Sequence, residues 1–231
     1  MKTFVDLKGT NSVKALFFGS IGTIVETSRL QYDAFHIAFA QHGLDWHWTL
    51  PTYRDMLKIS GGVNRISAFA DKRNQQVDAK AIHATKTLLF LEKLQSDNVK
   101  PLPYVSVGLK AAQEHGMKTG FVSTTEKATV QIITQKLVTE GNPDFDIVTH
   151  RGLGLPEKPK PDAYIHAFEA LGIRAQSAIV IEDNVEGIAA AKTAGAHVVG
   201  VPGTMTQQKD LRAADTTVGS GSDVQWIRLF A

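Results

Sequence analysis

The chain has 231 residues, of which 43% are hydrophobic and 21% charged, and this is enough apolar material for a sizeable core. Lysine and arginine (25) nearly balance aspartate and glutamate (23), so the net charge of +2 argues against a generic binder of nucleic acid or anionic membranes. Cysteine is absent, which excludes disulfides, thiol nucleophiles and cysteine–zinc sites. A cysteine-free globular chain without a long apolar run favours the cytoplasm.

The chain starts with a segment that gives no structural signal. Residues 1–12 lack the apolar core of a signal peptide, and we leave them out of the fold prediction. Residues 14–18 (KALFF) form a compact apolar run, which predicts a buried strand that ends in a glycine-containing loop. From residue 28 to about residue 94 the apolar residues recur at helical spacing, so this segment predicts a block of helices.

Beyond that block, helices alternate with strands. The predicted helices are 107–115, 128–137, 161–171 and 185–194, and a glycine follows three of them. The predicted strands are 119–122, 145–148, 178–181 and 198–201. Such an alternation predicts an α/β fold with a Rossmann-like, doubly wound parallel sheet.

The helical block interrupts this pattern after the first strand. We therefore predict two domains: an α/β core of residues 14–27 and 97–231, and an inserted α-helical cap of residues 28–96. Ligands of doubly wound sheets bind beyond the carboxyl ends of the strands. This rule directs attention to the loops that begin at Gly19, Ser123 and Glu182, and to the loop that holds Lys158.

Three groups of polar residues lie in these loops, and the functional interpretation of each has a purely structural alternative. Ser123 can hold a phosphate oxygen, or it can cap the helix that follows. Lys158 lies in a segment stiffened by prolines, so it can be aimed at a phosphate, or it is a solvated loop lysine. Glu182 and Asp183 offer hard oxygen ligands for Mg²⁺, or they stabilise the start of a helix through its dipole.

Together, the order and positions of these polar residues resemble the motifs of the haloacid dehalogenase-like superfamily, whose phosphohydrolases use an aspartate nucleophile. Ser123 matches the second motif of that family, Lys158 in KPKPD the third, and residues 182–196 (EDNVEGIAAAKTAGA) the fourth. Residues 43–66 (GLDWHWTLPTYRDMLKISGGVNRI) look like the CbbY-type sugar-phosphate phosphatases, relatives of β-phosphoglucomutase. The resemblance implies that Arg65, in the glycine-glycine loop of the cap, holds a substrate phosphate.

The first motif departs from the family pattern, which is Asp-x-Asp-Gly-Thr. Residues 19–23 read GSIGT, so Gly19 replaces the nucleophile and metal ligand, and Ile21 replaces the general acid/base. Glycine has no side chain to attack phosphorus, and isoleucine cannot shuttle a proton, a step typically worth ~10²–10⁴-fold in rate. The His-Arg pair that relatives often place after the loop is replaced by Gln31 and Tyr32.

The resemblance still implies a phosphate pocket and a Mg²⁺ site. Loss of a carboxylate should weaken the metal site, and a pocket that keeps its lysine after losing two acids should become more attractive to phosphate or sulfate. The expected phosphate contacts are Ser123, Thr124, Lys158, Ser20 and Gly22, and the expected metal ligands are Asp183, Glu182 and the carbonyl of Ile21.

Ser20 lies beside the lost nucleophile. Because side chains alternate along a strand, we expect its hydroxyl to point away from the pocket unless Gly19 permits a local rearrangement. Two functions stay open: a Mg²⁺-dependent phosphatase of a small sugar phosphate that uses a nonstandard nucleophile, such as metal-activated water, and a catalytically silent relative that binds a phosphorylated metabolite or a protein partner. The missing carboxylates favour the second.

Overall fold

The structure of the protein is a computed structural model that describes residues 13–57, 59 and 61–224. Residues 1–12, which carry no fold prediction, lie outside the described residues. The described chain forms two compact units: one comprises the residues up to Glu26 together with those from Val99 onward, and the other is Thr27–Asn98. Among the described residues, no helix combines the length and the apolarity needed to cross a bilayer.

Strands and helices alternate along the chain outside the second unit. The strands are β1 (Ala15–Phe18), β2 (Lys118–Val122), β3 (Ile147–Thr149), β4 (Ala178–Glu182), β5 (His197–Gly200) and β6 (Thr216–Thr217). The helices are α1 (Ile21–Ile24), α2 (Ser28–Gln41), α3 (Leu50–Met56), α4 (Gly62–Lys72), α5 (Ala79–Ser96), α6 (Pro103–Glu114), α7 (Lys127–Thr139), α8 (Asp162–Leu171) and α9 (Val185–Thr193).

A parallel sheet forms the centre of the first unit, which we call the core unit. Its strand order is β3-β2-β1-β4-β5-β6, and every neighbouring pair is parallel. Parallel neighbours need long crossover connections, and helices supply most of them. The predicted doubly wound α/β fold is therefore confirmed.

Local sequence signals explain where the elements of the core unit begin and end. The helix predicted from residue 107 begins earlier, at Pro103, because proline is well suited to the first turn of a helix. Helix α8 ends at Gly172, which adopts the left-handed conformation with φ 64°. Strand β3 begins two residues later than predicted, and β6, only two residues long, is too short to show a pattern.

The middle strands of the sheet are buried on both faces. Every residue of β1 and β4 is buried, as expected for strands covered by helices on both sides. Phe17 of β1 packs edge-on against Phe168 of α8, with 5.1 Å between ring centroids. Burial of side chains of this size contributes about 1.5–3 kcal/mol each, so the sheet holds the strand ends firmly in place.

The second unit, which we call the helical unit, contains α2–α5 around an aromatic cluster. The ring of Trp48 lies 4.9 Å from that of Phe35 and 4.8 Å from that of Phe39, measured between centroids. The sequence left open whether Trp46, Trp48 and Tyr53 pack in a core or line a cleft. All three are buried in this unit, so they act as core residues.

Candidate functional site

The strand register brings the predicted site residues of the core unit to one edge of the sheet. Phe18 of β1 stands opposite Phe121 of β2 and Ile181 of β4. The next residue on each strand is therefore Gly19, Val122 or Glu182, and these three positions are neighbours across the carboxyl ends of the strands. Side chains from the following loops and from α8 meet at this edge.

Lys158 connects these three strand ends. Its Nζ donates to the carbonyl of Gly19, to the carbonyl of Val122 (2.9 Å) and to the hydroxyl of Tyr164 (3.2 Å). It also forms an ion pair with Glu182, with 2.7 Å between Nζ and Oε1. The lysine is therefore neither solvated nor aimed outward. Its charge is matched by a buried carboxylate.

Glu182 is fully buried, and both of its carboxylate oxygens accept hydrogen bonds. Oε1 accepts from Lys158 and from the hydroxyl of Tyr164 (2.7 Å), and Oε2 accepts from Nδ2 of Asn184 (3.0 Å). Burial raises the pKa of Glu182, and the neighbouring charge of Asp183 adds to the rise, whereas Lys158 acts in the opposite direction. The carboxylate is held by a complete set of donors.

The position of the expected nucleophile, Gly19, is already filled by other side chains. A Cβ placed on Gly19 would lie 2.1 Å from Oε1 of Glu182 and 2.1 Å from the hydroxyl oxygen of Tyr164. Neither distance is compatible with van der Waals radii. The absence of a side chain at this position makes room for the Glu182–Lys158–Tyr164 network.

A second glycine, Gly187, also leaves room for the carboxylate of Glu182. A Cβ on Gly187, in the first turns of α9, would lie 1.9–2.2 Å from the carboxylate atoms of Glu182. Asn184 caps this helix by accepting a hydrogen bond from the amide of Gly187 (2.8 Å). The first turn of α9 thus packs directly against the carboxylate of Glu182.

Ser20 points toward the site, contrary to the expectation from strand alternation. Its Oγ donates to Oδ1 of Asp183 at 2.5 Å. The alternation does not extend to Ser20 because β1 ends at Phe18, and Ser20 instead occupies the N-cap position of the single turn α1.

The other residues of the degenerate motif form the single turn α1. Ile21 is the first residue of α1 and is half-buried. A Cβ on Gly22 would lie 1.9 Å from Oδ2 of Asp183, so the carboxylate packs directly on the backbone of Gly22. Thr23 donates from Oγ1 to the carbonyl of Ser20 (2.7 Å), which closes the turn.

Ser123 follows β2 and is buried, whereas Thr124 is half-buried. The amide of Ser123 donates to Oγ1 of Thr149 (3.0 Å), and Oγ of Ser123 accepts from the amide of Thr125 (3.1 Å). Ser123 does not cap the following helix, because α7 begins at Lys127 and its N-cap is Glu126. Its hydroxyl instead fixes the turn after β2.

The electrostatics of the site are more negative than the sequence suggested. Burial raises the pKa of the phenols of Tyr104 and Tyr164, and the charges of Glu182 and Asp183 raise both values further. Lys158 neutralises the charge of Glu182, so these three side chains together keep the negative charge of Asp183. The expected gain in attraction for anions is therefore offset, and an anion has to compete with Glu182 for Lys158.

The donor set at this edge does not fit a Mg²⁺ ion. Three of the four carboxylate oxygens of Glu182 and Asp183 accept hydrogen bonds from side chains: both oxygens of Glu182, and Oδ1 of Asp183, which accepts from Ser20 and Asn184. Magnesium requires near-octahedral oxygen coordination. In the described part of the chain, no three His, Asp or Glu side chains are grouped so that they could hold a metal.

Arg65 belongs to the helical unit, within α4. Its Nε donates to the carbonyl of Ile59 at 2.8 Å, which fixes the side chain to the preceding loop. The two positions that replace the His-Arg pair also have partners inside this unit. Oε1 of Gln31 accepts from Nζ of Lys86 (3.0 Å), and the hydroxyl of Tyr32 donates to the carbonyl of Trp48 (2.6 Å).

The site residues predicted from the sequence do not include Tyr164 and Asn184, which hold Glu182 in the structure. Tyr164 lies in the first turn of α8, six residues after Lys158, and helical side chains lean toward the N-terminus of their helix. That direction points Tyr164 back toward the loop of Lys158 and could have identified it. Asparagine is a favoured N-cap residue, which could have placed Asn184 at the start of α9, but nothing in the pattern shows that its amide also holds Glu182.

The sequence and fold are similar to those of characterised proteins. The family described as "Haloacid dehalogenase-like hydrolase" matches residues 22–201. Protein CbbY of Rhodobacter capsulatus is 32% identical over 207 residues, which cover 88% of this chain and 91% of that protein.

Two solved structures of CbbY from Rhodobacter sphaeroides have the same fold. The structure of its complex with phosphate has a TM-score of 0.77 and 28% identity, and the match covers 91% of this chain and 95% of that one. A point mutant in complex with xylulose-1,5-bisphosphate has a TM-score of 0.80 and 27% identity, with coverages of 94% and 99%. The resemblance inferred from the motifs is confirmed: the chain belongs to the haloacid dehalogenase-like hydrolase family and is similar to its CbbY proteins.

Proposed function

We propose that this protein binds a small phosphorylated metabolite without transferring its phosphoryl group. The observation that carries the proposal is the state of Gly19, where a Cβ would overlap Oε1 of Glu182 and the hydroxyl of Tyr164. Phosphoryl transfer through an aspartyl intermediate needs a carboxylate at this place and room for the phosphorus beside it. In this protein the space beside Gly19 is filled by the carboxylate of Glu182, which forms an ion pair with Lys158.

The remaining groups at the sheet edge do not supply a substitute nucleophile. Ser20 donates its hydrogen bond to Asp183, but attack by its oxygen would bring a phosphate dianion beside Asp183 and Glu182, with Lys158 already paired. Like charges at this separation repel. The arrangement therefore favours binding over chemistry, and it favours the silent relative over a phosphatase that uses metal-activated water.

The class of ligand is suggested by the relatives. Solved CbbY structures hold phosphate and xylulose-1,5-bisphosphate. In the core unit, the backbone turns at Gly22 and Ser123 are the groups that we expect to contact such a ligand, together with Thr124. Lys158 would contribute only to the extent that the ligand displaces Glu182. We therefore expect weak binding at the core unit.

The test measures binding and turnover in the same samples. Calorimetric titration with xylulose-1,5-bisphosphate and a panel of sugar monophosphates should show saturable binding of at least one compound, and no phosphate should be released above the buffer blank in the presence of Mg²⁺. The Gly19→Asp/Ile21→Asp double variant, assayed beside it, shows whether the frame still supports turnover once the aspartates are returned.

Two results would overturn the proposal. Turnover by the unmodified protein that is lost in Lys158→Ala would show that the site is an active enzyme after all. Absence of binding for every phosphorylated compound would favour the other option for a silent relative, a protein partner.

A further inference from the structure

An apolar groove of about 320 Å³ runs along α8 of the core unit and reaches the end of α9. Ile165, Phe168 and Ile173 supply the large apolar side chains of its lining, and Ala175 and Ala194 add to it. We call it the α8–α9 groove. Ile165 is 39% exposed, so part of this lining faces solvent. Of the described residues, none that belongs to the candidate site lines the groove, so it is a separate surface.

The described chain begins beside one wall of this groove. The amide of Lys14 donates to the carbonyl of Ser177 (2.8 Å), and Ala175 precedes Ser177 by two residues. Two residues span at most about 7 Å, so the chain enters β1 close to the α8–α9 groove. Residues 1–12, which precede this point, have a contour length of about 40 Å. They are therefore long enough to enter the groove.

The sequence of this N-terminal segment matches the chemistry of the groove. Residues 4–7 (FVDL) hold three apolar side chains, which suit an apolar lining. The same lining contains one exposed acid, Glu169, and one exposed base, Arg174. The segment offers the opposite charges in Lys8 and Asp6. Apolar content and charge are therefore both complementary to the groove.

A second groove, which includes Gln113 of α6 and which we call the α6 groove, lies on the other side of Lys14. It is equally near, because the carbonyl of Lys14 accepts from the amide of Lys118 (2.9 Å). Its lining contains the ion pair of Lys118 and Asp146, with 2.7 Å between Nζ and Oδ1. Apolar side chains laid over this pair would remove water from both charges, which is unfavourable. The α8–α9 groove is therefore the better match for residues 4–7.

We propose that residues 4–7 of this chain dock in the α8–α9 groove of the same molecule, with their apolar side chains against Ile165 and Phe168. The segment then covers the exposed part of Ile165 and connects α8 to the end of α9. No ligand takes part in this contact, so its presence or absence does not bear on the proposed function.

Disulfide trapping tests the contact in the full chain, whose natural sequence has no cysteine. The variant Leu7→Cys/Ile165→Cys places one thiol on the segment and one in the α8–α9 groove. Leu7→Cys/Gln113→Cys is the matched control, because Gln113 is an exposed residue of the α6 groove. Since a disulfide needs its two Cα atoms within about 7 Å, the first pair should close at least about tenfold faster than the control under mild oxidation.

Three results of the trapping experiment would overturn the proposal. Equal rates for the two pairs would show that the segment has no preferred groove. A faster reaction at Gln113→Cys would place it in the α6 groove. A disulfide between two chains, seen as a dimer on a non-reducing gel, would show that a second copy fills the α8–α9 groove.

Thiol labelling gives a second test that does not need a cross-link. Ile165→Cys is labelled with a bulky maleimide in the otherwise unmodified protein and together with Val5→Asp/Leu7→Asp. The added charges oppose docking in an apolar groove, so labelling should become at least about fivefold faster. Val138→Cys on α7, at a position that is 48% exposed, should react at the same rate in both backgrounds. An unchanged rate at Ile165→Cys would contradict the docked segment.

Discussion

Among the residues that the structure describes, the side chains of Lys158 in the core unit and Lys86 in the helical unit are buried, and their partners differ. The side chain of Lys158 is 8% exposed and lies against Glu182, Tyr164 and two backbone carbonyls. Lys86 is similarly buried, but its partners are the neutral amide of Gln31 and two phenyl rings. Burial alone removes solvation from both ammonium groups. Only Lys158 has a carboxylate partner that offsets this loss of solvation. The ammonium form is therefore stabilised at Lys158 and disfavoured at Lys86.

A lysine at the carboxyl end of a parallel sheet does not by itself indicate an anion site, because a buried carboxylate can already match its charge. In the core unit the lysine is charged but already matched, because Glu182 fills the place of a side chain that Gly19 lacks. In the helical unit the lysine is unmatched and its pKa falls. The first arrangement favours a stable network, and the second disfavours the charged form of the amine.

The largest expected effect comes from breaking the ion pair of the core unit. Lys158→Met leaves Glu182 buried without its counter-charge, and removal of one partner of a buried pair costs about 3–5 kcal/mol. Denaturant unfolding measures the loss. Lys160→Met is the matched control, because Lys160 is exposed two residues away, and it should change stability by less than about 0.5 kcal/mol. Equal effects of the two variants would refute the buried pair.

The next effect comes from the pH dependence of the helical unit. Between about pH 7 and the ordinary lysine pKa of 10.5, Lys86 binds fewer protons in the folded state than in the unfolded state. Stability therefore rises with pH through this window, by up to about 1.4 kcal/mol per pH unit and about 3 kcal/mol from pH 7 to pH 10.

The variant Lys86→Met isolates this contribution. Its unfolding free energy, measured by denaturant at several pH values, should lack the rise that the unmodified protein shows over the same window. If the two proteins have parallel pH profiles, Lys86 is an ordinary charged lysine in the folded state, and the contrast with Lys158 disappears.

Filling the empty position at Gly19 tests the contact that defines the core site. Gly19→Ala places a Cβ against Glu182 and Tyr164 and should cost about 2 kcal/mol through overpacking and loss of network geometry. Gly203→Ala is the control, because its Cβ would meet its nearest neighbours at an ordinary 3.7 Å and 3.9 Å. Thermal or denaturant unfolding of the pair gives the difference. A Gly19→Ala protein as stable as the control would mean that the position is open.

The smallest effect is expected from removal of a single hydroxyl. Tyr164→Phe deletes the 2.7 Å hydrogen bond to Oε1 of Glu182, and a hydrogen bond to a charged group contributes about 1.5 kcal/mol. Lys158 still holds the same oxygen, so the loss should stay well below that of Lys158→Met. A loss as large as that of the ion pair would show that Tyr164, not Lys158, is the main partner of Glu182.

The sequence could predict the fold because its signals are local. Glycines after α6, α8 and α9 mark helix ends, and apolar runs of four or five residues mark strands that are buried on both faces. The positions at the sheet edge were predictable for the same reason, since strand ends determine them. The two-residue strand β6 carries no such signal.

The orientation of side chains at the site could not be predicted in the same way. Glu182 and Asp183 are adjacent in the chain, but Glu182 points to Lys158 and Asp183 points to Ser20. Only the close packing at Gly19 and Gly187 shows that the side chain of Glu182 turns inward. The loss of two acids suggested a more positive pocket, but a third acid fills the vacated space. Such a replacement depends on three-dimensional volume, which a linear pattern does not record.

The affinity of inorganic phosphate for Glu182→Gln tests most directly whether Glu182 occupies the place of an anion. Glutamine keeps the shape of the side chain and its contact with Tyr164 but frees the charge of Lys158. We predict phosphate binding at least about tenfold tighter than in the unmodified protein, a gain of about 1.4 kcal/mol, and no change in Glu186→Gln, which alters an exposed acid of α9. Unchanged or weaker phosphate binding in Glu182→Gln would contradict the account.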